Sequence, residues 1–309
     1  MSFVDSNADR LAFVVCAGLI LVPLEHLLPR RKGQTLRRAG LKLDISYMLF
    51  GALGTMLVSA GVIALCVTLF AGLVPEAVRS LVRAQPVWAQ VIALIVVGDL
   101  YYYWAHRLFH TVPALWKFHA VHHSIEEMDW VAAHRTHPVD TGITNSGFAI
   151  VALLFDVSAT AYAIFSLQFA FHSLLKHSNV AVGWGWLRWL YVTPTFHHWH
   201  HANVAHAHDK NFAAQFPLWD RLFGTALMME SQGPARYGVD DPVPMTFLGS
   251  LVFPFWSGRG RTAAGAVSGD PEHRPEQRPE HRPDMADHSG RSDHAVGEAQ
   301  AMELAALQA

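Results

Sequence analysis

The segment HRLFHTVPALWKFHAVHH, residues 106–123, holds five histidines in eighteen residues. The first two are spaced i,i+4, and the last three have the spacing H-x-x-H-H. Side chains three or four residues apart lie on one face of a helix, so each group directs its imidazoles the same way. We therefore expect helices that carry a metal site. The five histidines are His106, His110, His119, His122 and His123.

Histidine is concentrated around this segment, because fifteen of the twenty histidines lie between residues 106 and 208. The motif FHHWHH repeats the H-x-x-H-H spacing, and single histidines occur in RTHP and in KHSN. Crowded imidazolium groups repel one another, whereas neutral imidazoles bind cations. Zinc sites use three or four protein ligands, so ten candidates predict two metal ions with about five ligands each. The five further candidates are His137, His177, His197, His200 and His201.

The composition indicates a membrane protein. Of 309 residues, 51% are apolar and only 16% are charged, whereas soluble domains carry about 25% charged residues. The formal net charge of −2 gives no indication of a nucleic-acid partner.

Three apolar stretches predict membrane helices, at residues 11–28, 43–74 and 87–104. The first is preceded by a single positive charge, Arg10, and is not followed by the cleavage site of a signal sequence. The second is long enough for one tilted helix or for a helix with a bent end. Six basic residues between positions 30 and 42 predict a cytoplasmic loop, and the third helix then returns His106 to the cytoplasmic face.

The remaining apolar segments are too short for further pairs of spans. Residues 143–171 predict a short re-entrant hairpin that turns near FDVSAT and keeps every histidine on one side. Residues 245–256 predict an interfacial segment. We expect an all-α, polytopic integral membrane protein with a cytosolic histidine-rich metal-binding cap. The catalytic domain would be residues 1–256, with its histidine motifs in 99–225, and the proline-rich residues 257–309 would be a disordered tail.

A ligating imidazole usually donates its second N–H to a carboxylate, a carbonyl or water. Side chains near the histidine motifs therefore become candidates for contacts around the metal. Asp99 could instead be an acidic side chain that is paired at the membrane interface, and this alternative stays open. The candidates are Asp99, Tyr102, Tyr103, His134, Asp140, His172, His198 and Asp209.

The motif series DLYYYWAHRLFH, LWKFHAVHHS, HRTHPVD, KHSNV, TPTFHHWHHA and DKNFAAQFPLWDRLFGT, within residues 99–225, resembles the sterol desaturase / fatty acid hydroxylase superfamily. The resemblance implies two iron ions held by the ten histidines on the cytoplasmic side, for which zinc could substitute in purified protein. It implies a membrane enzyme that uses O2 to hydroxylate or desaturate a lipid or sterol-like substrate. The sequence holds no fused cytochrome or ferredoxin motif, so we expect a separate electron-donor protein.

One turn departs from the family pattern, which often has N-[FY]-G where this chain has Asn211, Phe212 and Ala213. Alanine does not replace glycine easily at positive φ, so we expect this turn to differ.

Two other functions are compatible with clustered histidines. A zinc-dependent membrane hydrolase needs a general base, and the H-E-x-x-H motif is absent from the sequence. A histidine-rich metal transporter should carry its ligands near the bilayer midplane, whereas these histidines fall at the ends of the predicted spans. We therefore prefer the oxygenase, and hydroxylation over desaturation.

Overall fold

The computed structural model describes residues 7–182, 184–229 and 233–256, all within one compact unit, Met1–Ser268. Across these ranges the structure is helical, with isolated β-bridges and no strand. The predicted tail at 257–309 lies outside the described residues. The helices are α1 (Asn7–Leu27), α2 (Leu41–Phe70), α3 (Glu76–Arg83), α4 (Val87–Thr111), α5 (Pro113–His123), α6 (Pro138–Leu154), α7 (Ala159–His177), α8 (Pro194–His200), α9 (Leu218–Leu222) and α10 (Phe247–Trp256).

Three helices are long and apolar enough to cross a membrane: Asp9–Leu27, Leu41–Leu73 and Val87–Thr111. They coincide with the three predicted spans, and the chain is an integral membrane protein. The second ends in one 3₁₀ turn, Ala71–Leu73, as a helix with a bent end would. The short apolar helix α10 packs against α2 and α5 and leaves Trp256 88% exposed, and its placement at the membrane interface stays a prediction.

Helices α6 and α7 form the predicted hairpin, which turns at Phe155–Ser158 but is longer than expected. Helices of 17 and 19 residues extend about 25 Å and 28 Å. They carry the turn to the far end of the bundle, where Arg83 of α3 pairs with Asp156 at 2.8 Å. The first turn of α6 and the last turn of α7 contain polar residues, so the apolar stretch 143–171 is shorter than the two helices together.

Glycines allow α4 and α6 to pack at close range. A side chain at Gly98 of α4 would overlap the Phe148 ring of α6, and one at Gly147 of α6 would overlap the Tyr101 ring of α4. Small residues bring helix backbones together where lipid supplies no hydrophobic driving force. This contact fixes the hairpin against the helix that carries His106.

A buried ionic network ties the basic loop to the histidine end of the bundle. Arg38 contacts Asp44 of α2 at 2.6 Å and Asp129 at 2.5 Å, and Arg135 contacts Asp44 at 2.5 Å. Removing one partner from such a network leaves an uncompensated buried charge, which is strongly destabilising. The network therefore holds the segment around Arg135, which precedes α6, in a defined position.

Candidate metal centre

Nine of the ten predicted histidines form two buried clusters. Within each cluster the candidate ligand atoms all lie within 4.8 Å of one another. The first cluster contains His106, His110, His119, His123 and His200. The second cluster contains His122, His177, His197 and His201.

The two H-x-x-H-H motifs divide between the clusters in a reciprocal way. On α5, His119 and His123 are one turn apart and join the first cluster, while His122 faces the second. Around α8, His197 and His201 join the second cluster, while His200 faces the first. Each motif therefore contributes to both sites, and stacking of His123 on His201 with ring centroids 4.4 Å apart places the sites side by side.

Local sequence positions these short helices. Pro194 lies in the first turn of α8, where its missing N–H costs nothing, and the Thr193 side chain caps the helix by accepting from Phe196 N–H at 3.2 Å. Pro113 starts α5 in the same way after the break at Val112. Both breaks turn a histidine helix back toward the end of α4.

Hydrogen bonds orient the rings. Backbone carbonyl oxygens accept from the Nδ1–H groups of four cluster histidines, because a carbonyl cannot donate. The histidine–carbonyl pairs are His106 with Phe212 at 2.7 Å, His122 with Arg135 at 2.9 Å, His177 with Ser173 at 2.6 Å and His200 with Lys210 at 2.8 Å. The Nε2 atom of each neutral ring then carries no proton, and its lone pair faces the cluster.

These lone pairs provide a direct test of whether a cation fits. His122 Nε2 and His177 Nε2 are 3.2 Å apart, although both rings have their proton on Nδ1. Two acceptors that face each other at this distance repel, and a bound cation removes the repulsion. The donor set of neutral imidazoles suits zinc, iron, copper and nickel. Both clusters could therefore hold a metal ion.

Burial keeps the imidazoles neutral. It lowers the pKa of His119 and of His122 to about 3, and it lowers the pKa of His200 and His201 well below the ordinary value. Protons therefore compete weakly for the lone pairs, which leaves these nitrogens free for a cation near neutral pH.

Two of the predicted acidic residues lie near cluster histidines, but only Asp140 is within hydrogen-bond distance of one. The buried Asp140 carboxylate lies 2.7 Å from His119 Nδ1, and burial raises its pKa to about 7. Asp209 lies 3.6 Å from His110 Nδ1, beyond hydrogen-bond distance, and its side chain is 36% exposed. Asp140 is therefore the stronger partner of the two.

His137 is the predicted ligand that the structure moves out of the centre. Its Nδ1 accepts from Val139 N–H at 3.1 Å and caps α6, and its Nε2 donates to the Leu251 carbonyl at 3.1 Å. Both ring nitrogens are thus in use away from the clusters. The HP motif serves here as a helix start, since histidine before proline is held in an extended conformation.

Asp99, Tyr102 and Tyr103 make contacts other than the predicted hydrogen bonds to histidine. The Asp99 carboxylate accepts three backbone N–H groups of the loop at 214–216. The Tyr103 hydroxyl pairs with Thr225 at 2.9 Å, and the Tyr102 ring packs edge-on against His106 with centroids 5.3 Å apart. Asp99 therefore acts on His106 only through the loop whose Phe212 carbonyl orients that ring.

The three remaining histidine candidates also lie outside the clusters. His172 bonds the Val192 carbonyl at 2.7 Å, and His198 bonds the Tyr237 hydroxyl at 2.7 Å and the Ser178 carbonyl at 3.0 Å. His134 lines the cavity that opens beside the clusters. His172 and His198 thus make structural hydrogen bonds, and His134 lines the cavity. None of these contacts is the predicted hydrogen bond to a ligand histidine.

The unusual turn after α8 resolves without glycine. Asn211 adopts φ +63°, and its side chain bonds the Phe196 and Leu227 carbonyls at 2.9 Å and 3.0 Å. Asparagine tolerates this left-handed conformation better than other non-glycine residues. The turn therefore needs no positive φ at Ala213, and the Phe212 and Ala213 N–H groups are held by Asp220 at 2.7 Å and 2.8 Å.

A cavity of about 350 Å³ leads from the clusters into the helices. His119 of the first cluster lines it together with three histidines of the second, and α2, α6 and α7 form its walls. Sequence reasoning missed its most unusual member, Lys176, although a lysine inside a mostly apolar segment is a recognisable signal. It also missed the carbonyl acceptors, which have no residue signature.

The chain matches the fatty acid hydroxylase family model over residues 91–225. It is 32% identical to ornithine lipid hydroxylase OlsE of Rhizobium tropici over 176 residues, which cover 57% of this chain and 53% of that protein. It is 30% identical to alkylglycerol monooxygenase of Xenopus tropicalis over 146 residues, which cover 47% of this chain and 32% of that protein.

It is 29% identical to methylsterol monooxygenase 1 of Rattus norvegicus over 140 residues, which cover 44% of this chain and 46% of that protein. The chain thus spans between a third and about half of the length of these relatives. No solved structure gives a significant match. All nine clustered histidines lie within residues 91–225, the part of the chain that matches the fatty acid hydroxylase family model.

Proposed function

We propose that this protein is a membrane di-iron oxygenase that hydroxylates a lipid or sterol-like substrate. The observation that carries the proposal is the pair of adjacent, buried histidine clusters whose bare Nε2 atoms converge. Relatives named as hydroxylases and monooxygenases support oxygen insertion rather than desaturation. They also favour an oxygenase over a zinc hydrolase or a metal transporter.

In this proposal the five-histidine and four-histidine clusters each hold one iron ion. The bound ions supply the redox chemistry that lets O2 react with an unactivated C–H bond. In the overall reaction, one oxygen atom enters the C–H bond to give an alcohol and the other leaves as water. Formation of the water molecule requires two electrons and two protons. We assign the two electrons to a separate donor protein.

The residues of this chain hold the metals, exclude water and present the substrate. Carbonyl bonds to Nδ1 fix the rings of His106, His122, His177 and His200, so little reorganisation accompanies metal binding. The cavity borders both clusters and lies among membrane helices. A lipid entering it from the bilayer would bring one carbon next to the metals while the rest stays in the membrane.

Metal content tests the ligand assignment. Wild-type protein should bind two transition-metal ions, and His122→Ala should lose the second-cluster ion because it opens a coordination position. His137→Ala is the matched control, since this buried histidine caps a helix instead. Elemental analysis of purified protein makes the comparison. Loss of metal from His137→Ala equal to that from His122→Ala would contradict the assignment.

Isotope labelling tests the reaction. Membranes that contain the protein and a reductant system are incubated under ¹⁸O₂, and their lipids are examined by mass spectrometry. We expect one ¹⁸O atom in a lipid product, absent with His200→Ala and retained with the exposed His26→Ala. An unlabelled alkene would indicate desaturation. Metal-loaded protein that consumes no O2 with any membrane lipid, or that cleaves an ester without O2, would exclude the oxygenase.

We further propose that the histidine end faces the cytoplasm. The basic loop lies at this end, where Arg30 N–H donates to the Asn179 carbonyl at 3.1 Å and Arg31 N–H to the Asn179 side chain at 2.8 Å. Loops rich in lysine and arginine face the cytoplasm. A cysteine at the exposed Lys32, in a background free of Cys16 and Cys66, should react with an impermeant maleimide only in inside-out vesicles. Labelling only in right-side-out vesicles would reverse the topology.

A further inference from the structure

We propose that Lys176 binds an anionic head group, so that the substrate is a polar lipid oxidised close to its head group. The inference rests on the proposed function for its chemical step and deepens it by naming a substrate class. The shared chemistry of the recognised group is that of a carboxylate or a phosphate. Three features of the described residues support it: the position of the amine, the absence of an ion pair to it and the polarity of the cavity wall.

Lys176 places its amine beside the metal centre. Its side chain is buried, and it lies on α7 directly before His177 of the second cluster. The Nζ atom lies 5.6 Å from the centre of the Tyr102 ring, and that ring packs against His106 of the first cluster. Both Lys176 and Tyr102 line the cavity. An anion bound to this amine would therefore lie in the same cavity as the histidines of both clusters.

Within the described part of the chain, Lys176 makes no ion pair. Its charge is near Asp99, but that carboxylate already accepts three backbone N–H groups. Asp140, the acidic residue among those that line the cavity, is paired with His119. A buried charge without a partner is costly, and charges among membrane helices usually mark a functional contact. An anionic ligand would supply the missing partner.

The rest of the wall is polar where an alkyl tunnel would be apolar. Hydroxyl and amide groups of α6 and α7 face the cavity near Lys176, and His134 contributes a buried Nε2 without a hydrogen-bond partner. Apolar residues of α2 and α7 form another part of the wall, which suits the first carbons of a lipid tail. The polar residues of α6 and α7 are Thr141, Thr144, Asn145 and Ser173, and the apolar residues of α2 and α7 are Met48, Ala52, Met56 and Phe169. Arg10 of α1 and Tyr47 and Thr55 of α2 also line the cavity.

Binding of simple amphiphiles tests the inference without turnover. Full-length, metal-loaded protein in neutral detergent is titrated calorimetrically with N-lauroylglycine, dodecyl phosphate and dodecanol. Lys176→Met should weaken binding of the better anionic probe about ten- to hundredfold, the cost of one buried charge-assisted hydrogen bond. It should change dodecanol binding less than twofold. Lys32→Met is the matched control, because it removes the same charge from the exposed loop.

The anion that loses more affinity identifies the head-group chemistry. A buried substitution can disturb the fold, so Lys176→Arg and Lys176→Gln are compared at equal metal content. The arginine variant should bind the anion at least tenfold more tightly than the glutamine variant. Equal binding by this pair, or equal affinity of wild-type protein for dodecanol and both anions, would overturn the inference. If anion binding depends on the charge of Lys176 but the protein shows no O2-dependent turnover, only the oxygenase proposal is contradicted. If the protein turns over but anion binding does not depend on this charge, only the anion site is contradicted.

Discussion

The contact between Asp140 and His119 allows a quantitative prediction. Both side chains are at least 95% buried, and the Nδ1 and Oδ2 atoms are 2.7 Å apart. Asp140→Asn keeps an acceptor but removes the charge that strengthens the ligand. Changes in such partners typically reduce metal affinity 10- to 100-fold, which corresponds to about 1.4–2.8 kcal/mol. We expect the first cluster to weaken by this amount and the second cluster to change much less.

Competition with a chromophoric chelator measures the two affinities, and elemental analysis gives the stoichiometry. At a chelator concentration that leaves wild-type protein with two ions, Asp140→Asn should retain one. Asp209→Asn is the control, because its carboxylate lies 3.6 Å from His110 and is 36% exposed. A screened pair of this kind contributes about 0–1 kcal/mol, so affinity should fall by no more than about fivefold. Wild-type affinity in Asp140→Asn, or an equal loss in Asp209→Asn, would refute the reasoning.

Burial and charge predict three further outcomes. Metal-free protein should lose thermal stability as the pH falls below about 6.5, because burial lowers the pKa of His119 and of His122 to about 3. The unfolded chain then binds more protons, at about 1.4 kcal/mol per pH unit for each histidine, and the raised pKa of Asp140 opposes one of them. Asp44→Ala should cost about 3–5 kcal/mol, because it leaves two buried arginines short of a partner. Deletion of residues 257–309 should leave metal content and turnover unchanged, because this proline-rich segment lacks the apolar surface to pack.

Each outcome has a direct check. Melting temperatures in detergent from pH 4.5 to 8 should rise with pH in the metal-free protein, and a flat or falling profile would contradict the assignment of neutral histidines. Asp44→Asn, which keeps the shape of the side chain, separates loss of charge from loss of packing. Metal lost on truncation would show that the tail contributes ligands.

The sequence by itself determined the helical class, the three spans and the identity of nine clustered histidines. These properties depend on local chemistry, since apolar length sets a span and i,i+3 or i,i+4 spacing sets a common face. Asp140 could be found in the same way, because it follows the HP motif by two residues and a carboxylate is an ordinary partner of a ligating histidine.

Only the tertiary structure decided how the histidines divide. Spacing shows that His119 and His123 share a face, but the packing of α5 against α4 and α8 determines that His200 joins them and His122 does not. His137 matches the sequence pattern of a ligand, but it caps a helix instead. Its Nδ1 accepts from Val139 N–H and its Nε2 donates to the Leu251 carbonyl. The carbonyls that orient the rings, and the cavity that leaves Lys176 without a carboxylate, arise from contacts between distant segments, and such contacts leave no local pattern in the sequence.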